Sequence, residues 1–410
     1  MQELKNIEES VIYESVRLGR LYREEDNCNL SIGEFKIALS RILPQENPFL
    51  YNRVLNELEI SKGRSILESK PRGLGIALTN RCNIRCIMCS VWKNPWDIPE
   101  KTVKEITAFF PYLQRIFWQG GEVFLSPYFE ELFEKVTSYP HIRQDINTNG
   151  LLINRKWAEK LVEANANIIF SIDGITKEVY EYIRRGAKFE DLLKNIKLVN
   201  EFTGFAKEDK SHTKRKCSMI INLVVMRSNY HELGGFVDFA KKYGFDHLQI
   251  TPVDLSGPEN IFLNRDIKAL TYIYKIIPEI FEKARAFGIR ISNWLPAIEN
   301  LIFPQGDEAR LREVQQCGDF ETRDSTTKTN NKISCYWPWQ FLFIDWGGRV
   351  RPQCFCVKAL GNIHSNTIEE IWNNDIIQTY RKKLFSNDYH DWCDSRCFLG
   401  KISKEALSLD

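Results

Sequence analysis

GLGIALTNRCNIRCIMCS, residues 73–90, decides how the chain is read. It opens as a short apolar run, the form of a strand in a parallel sheet. The loop that follows sets Cys82, Cys86 and Cys89 in C-x3-C-x2-C spacing. Thiolates are the standard ligands of iron–sulfur clusters. Three on one loop hold three irons of a cubane and leave the fourth without a protein ligand. That open position is where a substrate or cofactor binds in a reactive metal centre. Spacing alone leaves two other readings open: a structural zinc site completed by a distant Cys or His, and three unrelated thiols.

Downstream of this stretch, apolar runs alternate with amphipathic ones. RIFWQ (115–119), QDINTN (144–149), NIIFSID (167–173), MIINLVV (219–225) and DHLQITP (246–252) read as strands. YFEELFEKVTSY, RKWAEKLVEAN, FEDLLKNIKLVNEF and LGGFVDFAKKYG read as helices between them. Strand, helix, strand at this spacing implies βαβ crossovers and a parallel sheet. Counting GLGIAL, about six such units predict an α/β fold, a partial (β/α)6 TIM-like barrel over residues 73–300. Residues 1–72 carry helical patterns, ESVIYESVRLGRLY and FLYNRVLNELEI, and form an N-terminal helical extension ended by Lys70-Pro71-Arg72-Gly73. Residues 301–410 lose the alternation and are rich in Cys, Trp and turn signals, as in a small domain stapled by metal. The polar run FAKEDKSHTKRKC at 205–217 reads as a solvated loop.

Composition narrows the class. Hydrophobic residues make up 43% of the 410 and charged ones 27%, a soluble globular profile. A net charge of +2, from 56 basic and 54 acidic side chains, gives no footprint for nucleic acid. No apolar run spans a bilayer, and the charged N-terminus lacks a signal-peptide core, so a cytoplasmic location is expected. In a reducing compartment the 11 cysteines serve as metal or redox groups rather than disulfides. Cys82 to Cys89 hold three and Cys317 to Cys397 six, whereas Cys28 and Cys217 stand alone and read as small hydrophobes.

The cysteine loop after a first strand resembles the signature of the radical S-adenosylmethionine (SAM) superfamily, and the resemblance runs across residues 73–255. It implies an open iron that binds the amino and carboxylate groups of SAM. Reductive cleavage to a 5′-deoxyadenosyl radical and hydrogen abstraction from a substrate follow from it. WQGGEV is similar to the family's GGE motif, which makes Gln119, Gly120, Gly121 and Glu122 cofactor contacts, with Val123 where proline is usual. The glycines are expected to let the backbone approach the methionyl amine. Met88 stands where an aromatic residue often precedes the third cysteine. NTNG (147–150) and SIDG (171–174) fall at strand C-termini, the edge that carries active sites in parallel α/β folds. Ser171 resembles a SAM-contacting serine. Arg184 or Arg185, in YIRRG, resembles an arginine that pairs with the SAM carboxylate. Asp173 reads equally as a turn residue or a substrate-facing one.

The distal cysteines follow the order of a SPASM or twitch extension, which carries auxiliary [4Fe–4S] clusters. Cys335, Gly348, Cys354, Gly361-Asn362-Ile363, Cys393 and Cys397 fit that order. The resemblance implies one auxiliary cluster held by Cys335, either Cys354 or Cys356, Cys393 and Cys397, with Cys354 the first choice and Cys317 spare. A zinc ribbon is the alternative. The sulfatase-maturing and peptide-modifying branch implies a peptide or protein substrate, oxidised, epimerised or cross-linked, and an electron donor such as flavodoxin or ferredoxin. A carbohydrate or aminocyclitol substrate is the alternative within the family. A non-catalytic zinc scaffold is the alternative outside it, and it has no use for the WQGGEV–SIDG–YIRRG series. The N-terminal helices lack the hairpin of a winged-helix peptide-recognition element.

Overall fold

The computed structural model describes residues 2–204, 217–253, 257–295, 335–354, 356–386, 388 and 391–393. Three helices come first: α1 (Gln2–Glu24), α2 (Cys28–Leu39) and α3 (Pro48–Ser61). Strand β1 (Gly73–Thr79) follows and is buried along its whole length. The short β2 (Arg85–Cys86) lies in the cysteine loop. Then come α4 (Glu100–Phe109), β3 (Arg115–Gly120), α5 (Phe129–Thr137), β4 (Arg143–Thr148), α6 (Arg155–Glu163) and β5 (Asn167–Ser171). After α7 (Lys177–Ile183), β6 (Arg184–Arg185) and α8 (Phe189–Thr203) the chain continues as β7 (Ser218–Val225), α9 (Phe236–Tyr243) and β8 (His247–Pro252). Helix α10 (Ile267–Phe287) and β9 (Arg290–Asn293) complete the alternation.

The six strands expected from the sequence, β1, β3, β4, β5, β7 and β8, lie side by side in chain order and all run parallel. Sequential βα units with every crossover to one side curl a twisted sheet into a partial barrel. Each strand's C-terminal end therefore falls on one edge. Helices hold their apolar faces to the sheet. On α5, Phe129, Leu132, Phe133 and Val136 are buried at three- and four-residue spacing. Side-chain caps fix the starts of α6, α7 and α10, for example Asn154 accepting from the Trp157 amide at 3.0 Å on α6, each worth about 1 kcal/mol. β9, only four residues of mixed exposure, adds a seventh parallel strand beyond β8.

The segment after Cys335 joins the same sheet. Strand β10 (Phe341–Ile344) pairs in parallel with β1, Gly73 opposite Phe341 and Ile76 opposite Ile344. β11 (Arg349–Arg351) and β12 (Gly361–Asn362) continue it antiparallel. Gly73 and Gly75 make the junction: an added Cβ would lie 2.5 Å from the Phe341 ring and 2.7 Å from the Phe343 ring. The N-terminal helices keep a small core of their own, with Ile12, Val16, Phe35 and Val54 in it. They are tied to the barrel by buried Glu57, which accepts from Arg20, from Arg23 at 2.7 Å and from Arg72 at 2.8 Å. Buried Arg381, on the helix Asp375–Phe385, donates to the Pro338, Ser65 and Trp372 carbonyls, joining both ends of the chain. Among the described residues no helix is long and apolar enough to cross a membrane.

Candidate metal and cofactor site

The cysteine loop leaves the C-terminal end of β1 and is clamped by main chain on both sides. On one side β3 ends against it: Gly121 N donates to Thr79 O and Glu122 N to Arg81 O, both at 2.7 Å. This packing explains the two glycines. A Cβ on Gly120, whose φ is +155°, would lie 2.2 Å from Thr79 O. A Cβ on Gly121 would lie 2.3 Å from Arg81 O. The room that the glycines leave on this side is filled by the main chain of the β1 end and the cysteine loop, Thr79 to Arg81. Gln119, half-buried on β3, sits opposite Ala77 of β1.

On the other side, β2 pairs antiparallel with β6, placing Cys86 opposite Arg184 and Arg85 opposite Arg185. Ile87 N donates to Ile183 O at 2.9 Å. Strand alternation then separates the two arginines. Arg184 turns inward, 5% exposed, with Nη1 3.9 Å from Cys86 Sγ and Nη2 2.7 Å from Asp173 Oδ2. Arg185 is exposed. Asp173 is fully buried and also accepts from Val224 N at 2.9 Å. Burial raises its carboxyl against the opposing pull of Arg184, while Asp173 beside Arg184 raises the guanidinium despite its burial. The pair is an internal strut from SIDG to YIRRG.

Glu122 is 1% exposed and spends both oxygens on β4's end, accepting from Thr148 Oγ1 and from Asn149 N, each at 2.8 Å. Burial pushes its carboxyl up to about 7, against those hydrogen bonds. Asn149 carries the linkage onward: its Nδ2 donates to Asn83 Oδ1 at 2.8 Å and lies 4.0 Å from Cys82 Sγ. NTNG was legible as a strand end, yet the role of Asn149 in steadying the cysteine loop was not. Ser171, half-buried, donates to Asn147 Oδ1 at 3.2 Å. Met88 packs with Ile183, Met226 and Val253 in a small apolar group under the loop.

Cys82, Cys86 and Cys89 are all half-buried at this edge. Arg85 holds the loop's turn through Cys82 O at 2.6 Å and lies over the Trp92 ring, whose Nε1 donates to Cys89 O at 3.0 Å. Burial raises the Cys82 thiol and pushes Cys86 up to about 11. Metal binding here must therefore release protons. Among the described residues no three His, Cys, Asp or Glu side chains converge on a single metal ion. Ligands of a cubane sit on separate irons and need no such convergence, so three half-buried thiols on one fixed loop fit that group.

The second cysteine group surrounds Tyr380. Cys356 and Cys393 face each other in an antiparallel bridge. The Tyr380 hydroxyl lies 3.4 Å from Cys393 Sγ and 3.9 Å from Cys356 Sγ. Cys335, buried, is close enough for its charge to act on the same hydroxyl. Cys356, in the bridge, is buried, whereas Cys354 is exposed. Cys317 and Cys397 lie outside the described residues.

Comparison with known proteins adds six findings. Residues 76–205 match the sequence profile of the radical SAM superfamily, and residues 335–398 that of the SPASM iron-sulfur cluster-binding domain. A cysteine-type anaerobic sulfatase-maturating enzyme of Clostridium novyi is 23% identical over 357 residues, 78% of this chain and 85% of that enzyme. A GTP 3′,8-cyclase of Desulforamulus reducens is 28% identical over 179 residues, 41% of this chain and 50% of that enzyme. Among solved structures, Streptococcus suis SuiB bound to S-adenosylmethionine superposes with a TM-score of 0.56 at 16% identity, covering 87% of this chain and 77% of that one. Native anSMEcpe with bound AdoMet gives 0.53 at 19% identity, covering 82% and 92%. At these identities the two structures speak for the fold, the partial barrel.

Proposed function

Because the chain belongs to the radical SAM superfamily and ends in a SPASM iron–sulfur domain, we propose that it modifies a peptide or protein at an unactivated carbon. A [4Fe–4S] cluster with one open iron supplies reductive cleavage of SAM to a 5′-deoxyadenosyl radical, which removes a hydrogen from the substrate. The observation that carries the reading is the convergence on one sheet edge of the cysteine loop with the ends of β3, β4, β5 and β6.

Each residue has a part in this reading. Cys82, Cys86 and Cys89 would hold the cluster. Gln119 to Glu122 and Ser171 border the place left for SAM, with Glu122 and Asn149 acting through the loop they brace. Of the two arginines, the one assigned to the carboxylate of SAM in this reading is Arg184, which borders Cys86, rather than exposed Arg185. Cys335, Cys356, Cys393 and Cys397 would hold an auxiliary cluster. Exposed Arg81, Arg85, Lys93 and Arg185 flank the loop. They offer a basic rim for an acidic electron donor of flavodoxin or ferredoxin type.

The peptide substrate is supported by the Clostridium novyi relative, named for maturing a sulfatase and matched over 85% of its length. Anaerobically reconstituted protein given SAM, reductant and fractionated host peptides should form 5′-deoxyadenosine together with a mass change in one peptide. 5′-Deoxyadenosine formed with every peptide mass unchanged, but stimulated by a sugar fraction, would overturn the substrate class.

A further inference from the structure

Tyr380 is a fully buried tyrosine whose hydroxyl points at sulfur. It sits on the helix Asp375–Phe385, whose start is capped by Asn374 accepting from Ile377 N at 3.1 Å. Its ring is fixed by a stack on Trp392, with centroids 4.7 Å apart and planes 12° from parallel. Trp392 is itself 5% exposed, with Lys358 Nζ 4.6 Å from its centroid. The hydroxyl therefore has little freedom to turn away from Cys393, at 3.4 Å, and Cys356, at 3.9 Å.

A buried phenol ordinarily finds an oxygen or nitrogen partner. A neutral thiol is a poor one, but a metal-bound thiolate is an acceptor only and is a good one. We propose that Tyr380 is a positioning residue for the auxiliary cluster, donating its hydroxyl hydrogen bond to the Cys393 thiolate and thereby raising that cluster's reduction potential. The inference rests on the reading of the C-terminal cysteines as iron–sulfur ligands. Its physical basis is charge: reduction adds an electron that spreads onto the sulfurs, and a donor aimed at one of them favours the reduced form. The stacked Trp392 ring keeps that donor in place.

The test uses the full chain in a background where Cys82, Cys86 and Cys89 are all Ala, so that the remaining cluster is the auxiliary one. Tyr380→Phe removes the hydroxyl and keeps the ring and its stack. Iron and sulfide content should be unchanged. The midpoint potential, read by EPR-monitored redox titration, should move to more negative values. The Fe–S stretching bands should also lose the shift that exchange into D2O produces with the hydroxyl present. An unchanged potential together with an unchanged D2O shift overturns the role of Tyr380 and leaves the cluster standing. Absence of iron and sulfide from the background protein overturns the auxiliary cluster itself, and this inference with it.

Discussion

The two cysteine groups are held by different means. Around Cys82, Cys86 and Cys89 the grip is main chain: β3 closes one side through Thr79 and Arg81, and β6 closes the other through Ile183 and Arg184. Around Cys335, Cys356 and Cys393 a single main-chain bridge, Cys356 to Cys393, is supplemented by side chains, a buried phenol with a stacked indole behind it. A loop braced by backbone hydrogen bonds keeps its shape without help from the ligand and can leave one iron open. A group assembled around a hydroxyl draws more of its order from the metal it binds. On the function proposed above, reactivity belongs to the first arrangement and tuning to the second.

The largest break in this contrast is expected from Gly121→Val. With a Cβ 2.3 Å from Arg81 O and 2.5 Å from Asn80 O, the cysteine loop must move. Overpacking of this kind costs about 1–3 kcal/mol. Iron at the first site should fall and the melting temperature drop, in contrast to a simple weakening of SAM binding. Iron assays and calorimetry on the reconstituted variant check it.

A smaller, local effect should separate the two neighbouring cysteines of the second group. Cys356→Ala should lose the auxiliary cluster's iron, since Cys356 faces Cys393. Cys354→Ala, at an exposed position, should keep it. Iron and sulfide counts on the pair decide which of the two is a ligand.

The smallest effect concerns Glu122. Its buried carboxyl, pushed up to about 7, keeps its proton in the folded chain while an unfolded carboxyl ionises near 4.5. The folded chain binds more protons across that window, so Glu122 makes stability fall as pH rises from about 4.5 to 7 and level off above. Glu122→Gln should flatten that slope in melting temperatures measured across the window.

Much of this was legible in the sequence. The barrel was legible because short strand-like runs, most of them apolar, alternate with amphipathic helices, with β4 (RQDINT) the most polar of them. β9 was not, since four residues of mixed exposure carry no period. Nor was the pairing of Phe341 with Gly73, which depends on a contact between distant parts of the chain. The site was legible by position but not always by cause. GG marked the right turn, while the close approach of the Thr79–Arg81 backbone to it was not legible. Arg184 and Arg185 were equivalent on paper, and only their register against Cys86 and Arg85 turned one inward. Cys354 and Cys356 were likewise equivalent until the bridge to Cys393 fixed which one faces it. Asn149 gave no signal beyond its place in NTNG, since its partner Asn83 is brought near only by folding.

The central claim is that the three thiols on the β1 loop hold the cluster that cleaves SAM. Its direct measurement is 5′-deoxyadenosine production, under anaerobic reducing conditions, by the intact protein and by the Cys82→Ala, Cys86→Ala, Cys89→Ala triple variant. Product should form with the intact protein and not with the variant, which should retain the iron of the auxiliary cluster alone. Undiminished 5′-deoxyadenosine from the variant would contradict it.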